Sequence, residues 1–367
     1  MSDESNNHTG FPCSSCGAQL TFQPGTAQLT CPYCNHAQKV ENPLSRDNQS
    51  PAPLIKEYDY LEVLNNPVTI AANEMITNAK EVECKNCGAI TLVTGQAENC
   101  PFCDSPMVVI ESKEGLIVPE SLLPFRIEKS RAQGIFREWI KSRWFAPNDL
   151  IKKAQKEGMD GVYLPYWTYD SQTSSRYRGE RGEHYYEEEE STDSDGNTQT
   201  TRERRTRWYS VSGDINQDFD DVMVCASKSL PQELFDALEP WPINELKNYN
   251  EGYLAGFLAE KYGITLKEGF GLAEQKMDAA IRQAIKKDIG GDEQRIHGVD
   301  TEHDDIKFKL ILLPLWISSF RYKEKIYRFL VNAQTGEANG ERPYSTIKIV
   351  LLILAIVSIF ALFAYLN

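Results

Sequence analysis

The sequence predicts a multidomain chain: two small four-cysteine ribbons, an α+β domain with an internal duplication, and a C-terminal transmembrane helix. Three observations carry that expectation. Eight of the nine cysteines stand in four CxxC pairs, grouped two and two. Helical and strand periodicities alternate through the middle of the chain, where LPYW (164–167) returns as LPLW (313–316). Residues 349–366 read IVLLILAIVSIFALFAYL, without a charge.

Residues 1–10, MSDESNNHTG, are polar and acidic and read as a disordered N-terminus. They contain no basic n-region and no apolar h-region, so no secretory signal is expected. The cysteines should then meet a reducing compartment, which disfavours a disulfide framework.

The first ribbon is assigned to residues 11–41. Cys13 and Cys16 form CSSCG, fourteen residues intervene, and Cys31 and Cys34 close the set as CPYC. CPYC alone also suits a thiol–disulfide exchanger, but that motif opens a helix. The NHAQKV that follows it has no helical face. The arrangement then recurs: Cys84 and Cys87 form CKNCG, twelve residues intervene, and Cys100 and Cys103 form CPFC. Each CxxC turn aims two thiolates at one point, and two such turns surround a Zn²⁺ ion tetrahedrally. Two structural zinc ions are expected, with these eight cysteines as ligands; iron held by four cysteines is the alternative. Four thiolates leave no open position for water or substrate, so the metals hold small domains together. Gly17 and Gly88 follow their knuckles, where a tight turn favours positive φ.

Residues 42–57 contain NPLSRDNQSPAP and read as a linker. Residues 58–110 are assigned to a short helix plus the second ribbon. The α+β domain follows over 115–345. Its clearest helix covers 128–144, with Ala132, Ile135, Phe136, Trp139, Ile140 and Trp144 on one face. Pro147 permits a second, short helix ending near Gly158. GVYLPYWTYD (161–170) reads as strand.

Beyond it, Glu187 to Glu190 precede a turn signal, SDGN (194–197), and Arg202, Arg204, Arg205 and Arg207 follow. Either the chain folds back and pairs the two runs, or the segment is a solvated loop. Helical patterns are expected near 231–239, 250–262 and 272–287. In the last, Ala273, Met277, Ala280, Ile281, Ala284 and Ile285 form the stripe. Strands are expected near 306–320 and 322–332, with a turn at QTGE (334–337). The LPYW and LPLW echo suggests two related helix-plus-strand units. Cys225, in VMVCA, reads as a buried core thiol.

Residues 347–366 are long enough to cross a bilayer once as a helix, about 30 Å. Lys348 can snorkel at one edge and Tyr365 suits the other interface. Only Asn367 follows, so the span is expected to be a tail anchor. Arg342 and Lys348 on its N-terminal side place the bulk of the chain in the cytoplasm.

The paired ribbons, KSRWFAP (141–147), GVYLPYWTYD, YLAGFLAEKYG (253–263) and the terminal span together resemble the bacterial YdjG-like membrane proteins with two zinc ribbons. The resemblance covers nearly the whole chain. Ribbons of this kind are similar to those of general transcription factors and to the cysteine-rich part of the primosomal replication-restart helicase. The resemblance implies a membrane-associated protein that works through partners in envelope-stress or scaffold complexes. Only the eight ligand cysteines carry over as functional positions.

No phosphate-cradling GxxxxGK[ST] loop is present, which excludes helicase activity, and HExxH, GxSxG and GxGxxG motifs are missing as well. The five histidines are scattered; only His303, in DTEHDD, neighbours several carboxylates, a run that is more readily solvated than metal-binding. The net charge is −14, and residues 1–110 alone carry −7. Nucleic acid is therefore an unfavoured partner. The expected function is a non-enzymatic, cytosol-facing adaptor for protein partners in the cell membrane. The alternative is a membrane-tethered nucleic-acid-binding ribbon protein.

Overall fold

The computed structural model describes residues 11–40, 55–66, 80–93, 100–103, 105, 107–110, 117–150, 158–192, 198–323 and 325–366. The expected N-terminal tail, most of the linker, the core of the expected helix after Pro147 and the SDGN turn lie outside these residues.

A small antiparallel sheet comes first: β1 (Thr21–Gln23), β2 (Gln28–Thr30) and β3 (Ala37–Lys39). The other twelve strands among the described residues belong to one sheet. Its opening members are β4 (Tyr58–Asp59), β5 (Lys80–Cys84), β6 (Ile90–Val93), β7 (Met107–Ile110) and β8 (Ser121–Leu122), with the short helix α1 (Tyr60–Asn65) after β4. Helix α2 (Lys129–Lys141) leads to two very long strands, β9 (Asp160–Thr192) and β10 (Thr198–Cys225). The short α3 (Gln232–Asp236), β11 (Lys247–Asn248) and β12 (Leu258–Glu260) precede helix α4 (Leu266–Ile289). Then come β13 (Glu293–Tyr322), β14 (Lys325–Asn332), β15 (Ala338–Gly340) and the terminal helix α5 (Thr346–Leu366).

The tetrapeptide echo marks a real duplication. One unit runs β8–α2–β9–β10 and the other β12–α4–β13–β14. Their long strands lie side by side, antiparallel, with Leu164 directly opposite Leu313. Each entry strand pairs in parallel with the other unit's long strand: β8 beside Ile311 and Leu312, β12 beside Val162 and Tyr163.

The polar contacts repeat too. Trp167 donates its indole N–H to Ile264 O (2.9 Å), and Trp316 donates to Ile127 O (2.8 Å). Both acceptors lie one residue before a helix cap, Thr265 and Glu128. Ala226 N–H donates to Pro165 O and Ala333 N–H to Pro314 O, at 2.8 and 3.0 Å. Buried indole N–H groups need partners, so each unit's tryptophan fixes the start of the other unit's helix.

Helix α4 begins with a capping box between Thr265 and Glu268 and ends before Gly290 at φ +64°. Its stripe is as expected: Ala273, Met277, Ile281 and Ile285 are buried. The helix starts six residues earlier than the apolar periodicity suggested, because Leu266 and Phe270 pack on Tyr60, Trp167 and Tyr169. Gly269 allows the close approach; a Cβ there would lie 2.5 Å from Tyr169 Oη.

The expected helix over 250–262 does not form. Glu251–Leu254 make a 3₁₀ turn, Gly256 takes φ +86°, and Leu258–Glu260 extend as β12. Tertiary contacts override the local pattern: Phe257 stacks on Phe125 with centroids 3.8 Å apart, and Tyr253 packs edge-on against Phe22. Trp144, expected on the apolar face of α2, lies beyond the helix end and is 72% exposed.

Residues 171–192 and 198–219, with β13 from Glu293 to Asp304, build an arm that leaves the body. At about 3.3 Å per residue, the 33 residues of β9 extend roughly 110 Å. Alternation places Tyr177, Val211, Ile215, Ile296 and Val299 on one face, covered by Ile281, Ile285 and Ile289 of α4. Past Gly182 and Glu293 both α4 and β13 have stopped, and β9 and β10 continue as a two-stranded hairpin.

The strands do pair, but the acidic and basic runs overlap only at their edges: Arg202 is opposite Glu188 and Arg205 reaches Glu187 at 2.8 Å, whereas Arg204, Arg205 and Arg207 stand opposite Tyr186, Tyr185 and Glu183. Of the two readings of this segment, the fold-back is the one realised.

Buried charges sit at the joint between the body and the second ribbon. Lys261 pairs with Glu81 at 3.0 Å where β12 meets the second ribbon. Beside it, Glu260 is buried and accepts hydrogen bonds from Ser227 (2.9 Å) and Ser229, while its Oε2 has no partner among the described residues. Burial pushes its carboxyl up to about 8, against the two serine hydrogen bonds that favour the anion. A folded-state value above the unfolded one means that its contribution is complete below about pH 4.5. It declines as pH rises through 8. Glu260→Gln should therefore flatten the fall of melting temperature between pH 5 and 8.5. A slope equal to the parent's would contradict this assignment.

Candidate metal centres

The ribbons form because each CxxC turn closes on itself. Gly17 N–H donates to Cys13 O and Gly88 N–H to Cys84 O, both at 2.8 Å, with φ of +75° and +74°. Asn35 does the same after Cys34, donating to Cys31 O at 3.0 Å with φ +57°. The sequence pattern of glycine after the knuckle missed this third case, although asparagine is the usual substitute in the left-handed region. Ser15 N–H also points at Cys13 Sγ, 3.4 Å away, a contact that supports a thiolate.

These turns bring Cys13, Cys16, Cys31 and Cys34 together, and likewise Cys84, Cys87, Cys100 and Cys103, with the sulfurs of each set all within 4.8 Å of one another. The closest pairs are Cys16–Cys31 at 3.5 Å and Cys84–Cys103 at 3.4 Å. A disulfide needs about 2.05 Å. Sulfurs 2.3 Å from a tetrahedral zinc stand about 3.8 Å apart. All eight are free thiols, and each set can hold one zinc ion.

The electrostatics agree. The Cys87 thiol, hydrogen-bonded by Cys100, is drawn down to about 5, and Cys100, facing Cys87, is pushed well above the ordinary range. Four sulfurs so close cannot all ionise without a cation among them; a bound zinc supplies that charge and displaces the protons.

The two sets sit differently. Ribbon one rests on the body through Phe22 N–H to Ala255 O (2.8 Å) and Gly25 N–H to Phe125 O (2.9 Å), and Cys16 and Cys34 are exposed. Ribbon two is continuous with the large sheet. Its β6 pairs with β12, Pro101 O accepts from Ser319, Phe102 O accepts from Arg328, and the Phe102 ring is fully buried.

Among the described residues, DTEHDD does not gather around a point. His303 Nδ1 bonds Ser171 Oγ at 3.2 Å and the ring packs edge-on against Phe270. An acidic group forms elsewhere, from Glu57, Asp170 and Asp221. Lys309 already occupies its centre, 2.8 Å from Glu57 and 2.6 Å from Asp221, and Asp221 N–H donates to Asp170 at 2.7 Å. Burial opposes the charge on Lys309, but its bonds to Asp221 and Glu57 raise its pKa above the ordinary lysine value. Burial lifts Asp170 to about 6. This cluster sits where β10 and β13 both bulge, between Phe219 and Val222 and between Asp304 and Lys307, at the root of the arm. Nothing local marks it, because its members are spread from residue 57 to residue 309. Cys225 is fully buried, as expected of a core thiol.

Helix α5, of 21 residues, is the one helix among the described residues long and apolar enough to cross a membrane, and none of its apolar span is buried. Fold and site together define a zinc-binding α+β protein with two four-cysteine clusters and a C-terminal apolar helix. The chain is similar to the uncharacterized protein YdjG of Bacillus subtilis (strain 168), with 28% identity over 343 residues that cover 92% of this chain and 91% of that one. No family model and no solved structure matches it.

Proposed function

We propose that this protein is a non-enzymatic adaptor, held in the cell membrane by α5 with its bulk in the cytoplasm, and that its arm engages a protein partner in a membrane-associated complex. The observation that carries the reading is the hairpin beyond Gly182 and Glu293. There β9 has no strand partner but β10 among the described residues, and no described strand pairs with the outer edge of β10. Open edges recruit strands of other chains. Tyr186 is 55% exposed, and Arg202 and Arg207 lie over Tyr186 and Tyr185 at 4.6 and 4.8 Å, an ordered aromatic and cationic surface.

The closed tetrathiolate sets support a scaffolding role for the metals, and thiols that must stay reduced suit a cytoplasmic location. Glu188 opposite Arg202, the Arg205–Glu187 ion pair and the net charge of −14 weigh against nucleic acid.

The test replaces residues 183–207 with an Asn-Gly turn in the full, membrane-inserted chain. Photo-cross-linking from position 186 of the parent should yield one discrete protein adduct. The shortened chain should insert normally and lose co-purification of that protein. Retention of the detergent-solubilised parent on DNA at low salt, lost at high salt, would favour the nucleic-acid reading instead.

A further inference from the structure

An open cavity of about 440 Å³ lies between the end of α2, the start of β14 and the segment leading into α5. Its volume falls in the range of about 300–1,000 Å³ usual for small-ligand sites. Three cations line it: Arg143, Lys325 and Arg342. The one carboxylate in the wall, Glu341, is engaged by Arg328 at 3.4 Å. The cavity is thus cationic within a chain of net charge −14.

The cations are held without being neutralised. Each lies over an aromatic ring of the same wall: Arg143 over Trp139 at 5.1 Å, Lys325 over Tyr327 at 5.7 Å and Arg342 over Tyr344 at 5.3 Å. Nε of Arg143 and Nε of Arg342 are buried without a hydrogen-bond partner among the described residues. Buried guanidinium donors with nothing to donate to mark a place for acceptor oxygens.

The position of the cavity selects the acceptor. Tyr344 lies two residues before α5 begins at Thr346. Lys348 Nζ donates to Trp144 O and Ala146 O, both at 2.8 Å, and Ser345 N–H donates to Phe145 O at 2.7 Å, which fasten the end of α2 to the head of α5. Trp144 and Tyr344 are 72% and 60% exposed beside that junction. Exposed aromatic rings at the end of an apolar helix sit at the level of lipid headgroups.

We propose that Arg143, Lys325 and Arg342 form a juxtamembrane site for the phosphate of an anionic phospholipid headgroup. The site rests on the reading that α5 enters the bilayer. Cations near an anionic surface each contribute a factor of about five in binding.

Three measurements on the full chain keep the layers apart. Flotation of the reconstituted protein with phosphatidylcholine vesicles in alkaline carbonate reports insertion alone. Native mass spectrometry from mild detergent reports retention of phosphatidylglycerol against phosphatidylcholine. The parent should float and should retain phosphatidylglycerol about tenfold or more over phosphatidylcholine. The triple variant Arg143→Gln, Lys325→Gln, Arg342→Gln should float equally and lose the preference. Lys325→Gln alone, on an exposed side chain, should lower the ratio about fivefold.

Equal retention of the two lipids, or a ratio unchanged in both variants, overturns the proposal. Thermal protection of the parent by inorganic phosphate in pure phosphatidylcholine, equal to that given by phosphatidylglycerol, assigns the cavity to a soluble phosphate and overturns it as well. Failure to float overturns the membrane reading and the site with it.

Discussion

Replacing Cys100 and Cys103 with serine is expected to remove one zinc equivalent and unfold the body of the protein, not merely its second ribbon. The ligand turn itself is a structural part of the core. Phe102, between those two cysteines, is fully buried among Leu313, Leu315 and Leu330. Its carbonyl and that of Pro101 hold Arg328 and Ser319, at 2.7 and 2.8 Å. Strands β5 and β6 reach β9 through β12.

A structural zinc contributes apparent free energies of about 10–16 kcal/mol in isolated fingers. A whole domain has about 5–15 kcal/mol of net stability. Losing the second metal should therefore take the sheet below its threshold. Emission from the fully buried Trp167 should shift to the red, and proteolysis should open the region from 117 to 345. The parallel variant Cys16→Ser, Cys34→Ser should also lose one zinc, with new cleavage concentrated before residue 41. An unfolding midpoint lowered equally by both variants would contradict the unequal attachment of the two ribbons.

Lys309→Met should cost about 3–5 kcal/mol, the usual penalty for stripping one partner from a buried ion cluster. The lysine is 5% exposed and bonds Glu57 and Asp221. Methionine keeps the stem and leaves Glu57, Asp170 and Asp221 facing one another. The pH dependence gives the mechanism away. A carboxylate whose folded-state pKa is raised contributes most below its unfolded value, near 4, and loses that contribution as pH rises through the folded value. Asp170 already stands at about 6 with the lysine in place. Without it the carboxylates repel more strongly, so the variant should recover stability between pH 7 and 5 by more than the parent does. Chemical unfolding at the two pH values, followed by tryptophan emission, checks this. An identical gain in both proteins would mean that the lysine acts through its stem alone. Because the cluster lies at the root of the arm, hydrogen exchange should rise first at 171–182 and 293–304.

The sequence carried what depends on short-range chemistry. Spacing between cysteines is a local property of two turns, so both ligand sets were readable, as were the apolar stripe of α4 and the uncharged stretch of α5. The LPYW echo correctly pointed to two related units. Its meaning needed the hydrogen bonds of Trp167 and Trp316 across the pseudo-twofold, because strand pairing joins residues more than a hundred positions apart. The same non-locality hid the Lys309 cluster and the continuity of the second ribbon with the main sheet. YLAGFLAEKYG misled because its aromatic residues are spaced as on a helix. Tyr253 instead packs against Phe22 of ribbon one, Phe257 stacks on Phe125 in the body, and Gly256 breaks the turn.

The long paired course of β9 and β13 has a mechanical consequence. Tension applied at the far end of the arm and resisted at α5 would run down β9, cross to β13, and continue through β14 and β15. Over the register from Glu293 to Ile317 the two strands would slide lengthwise, so many ladder hydrogen bonds bear the load together instead of parting one at a time. A molecule built this way transmits a pull over roughly a hundred ångströms as a stiff strut would.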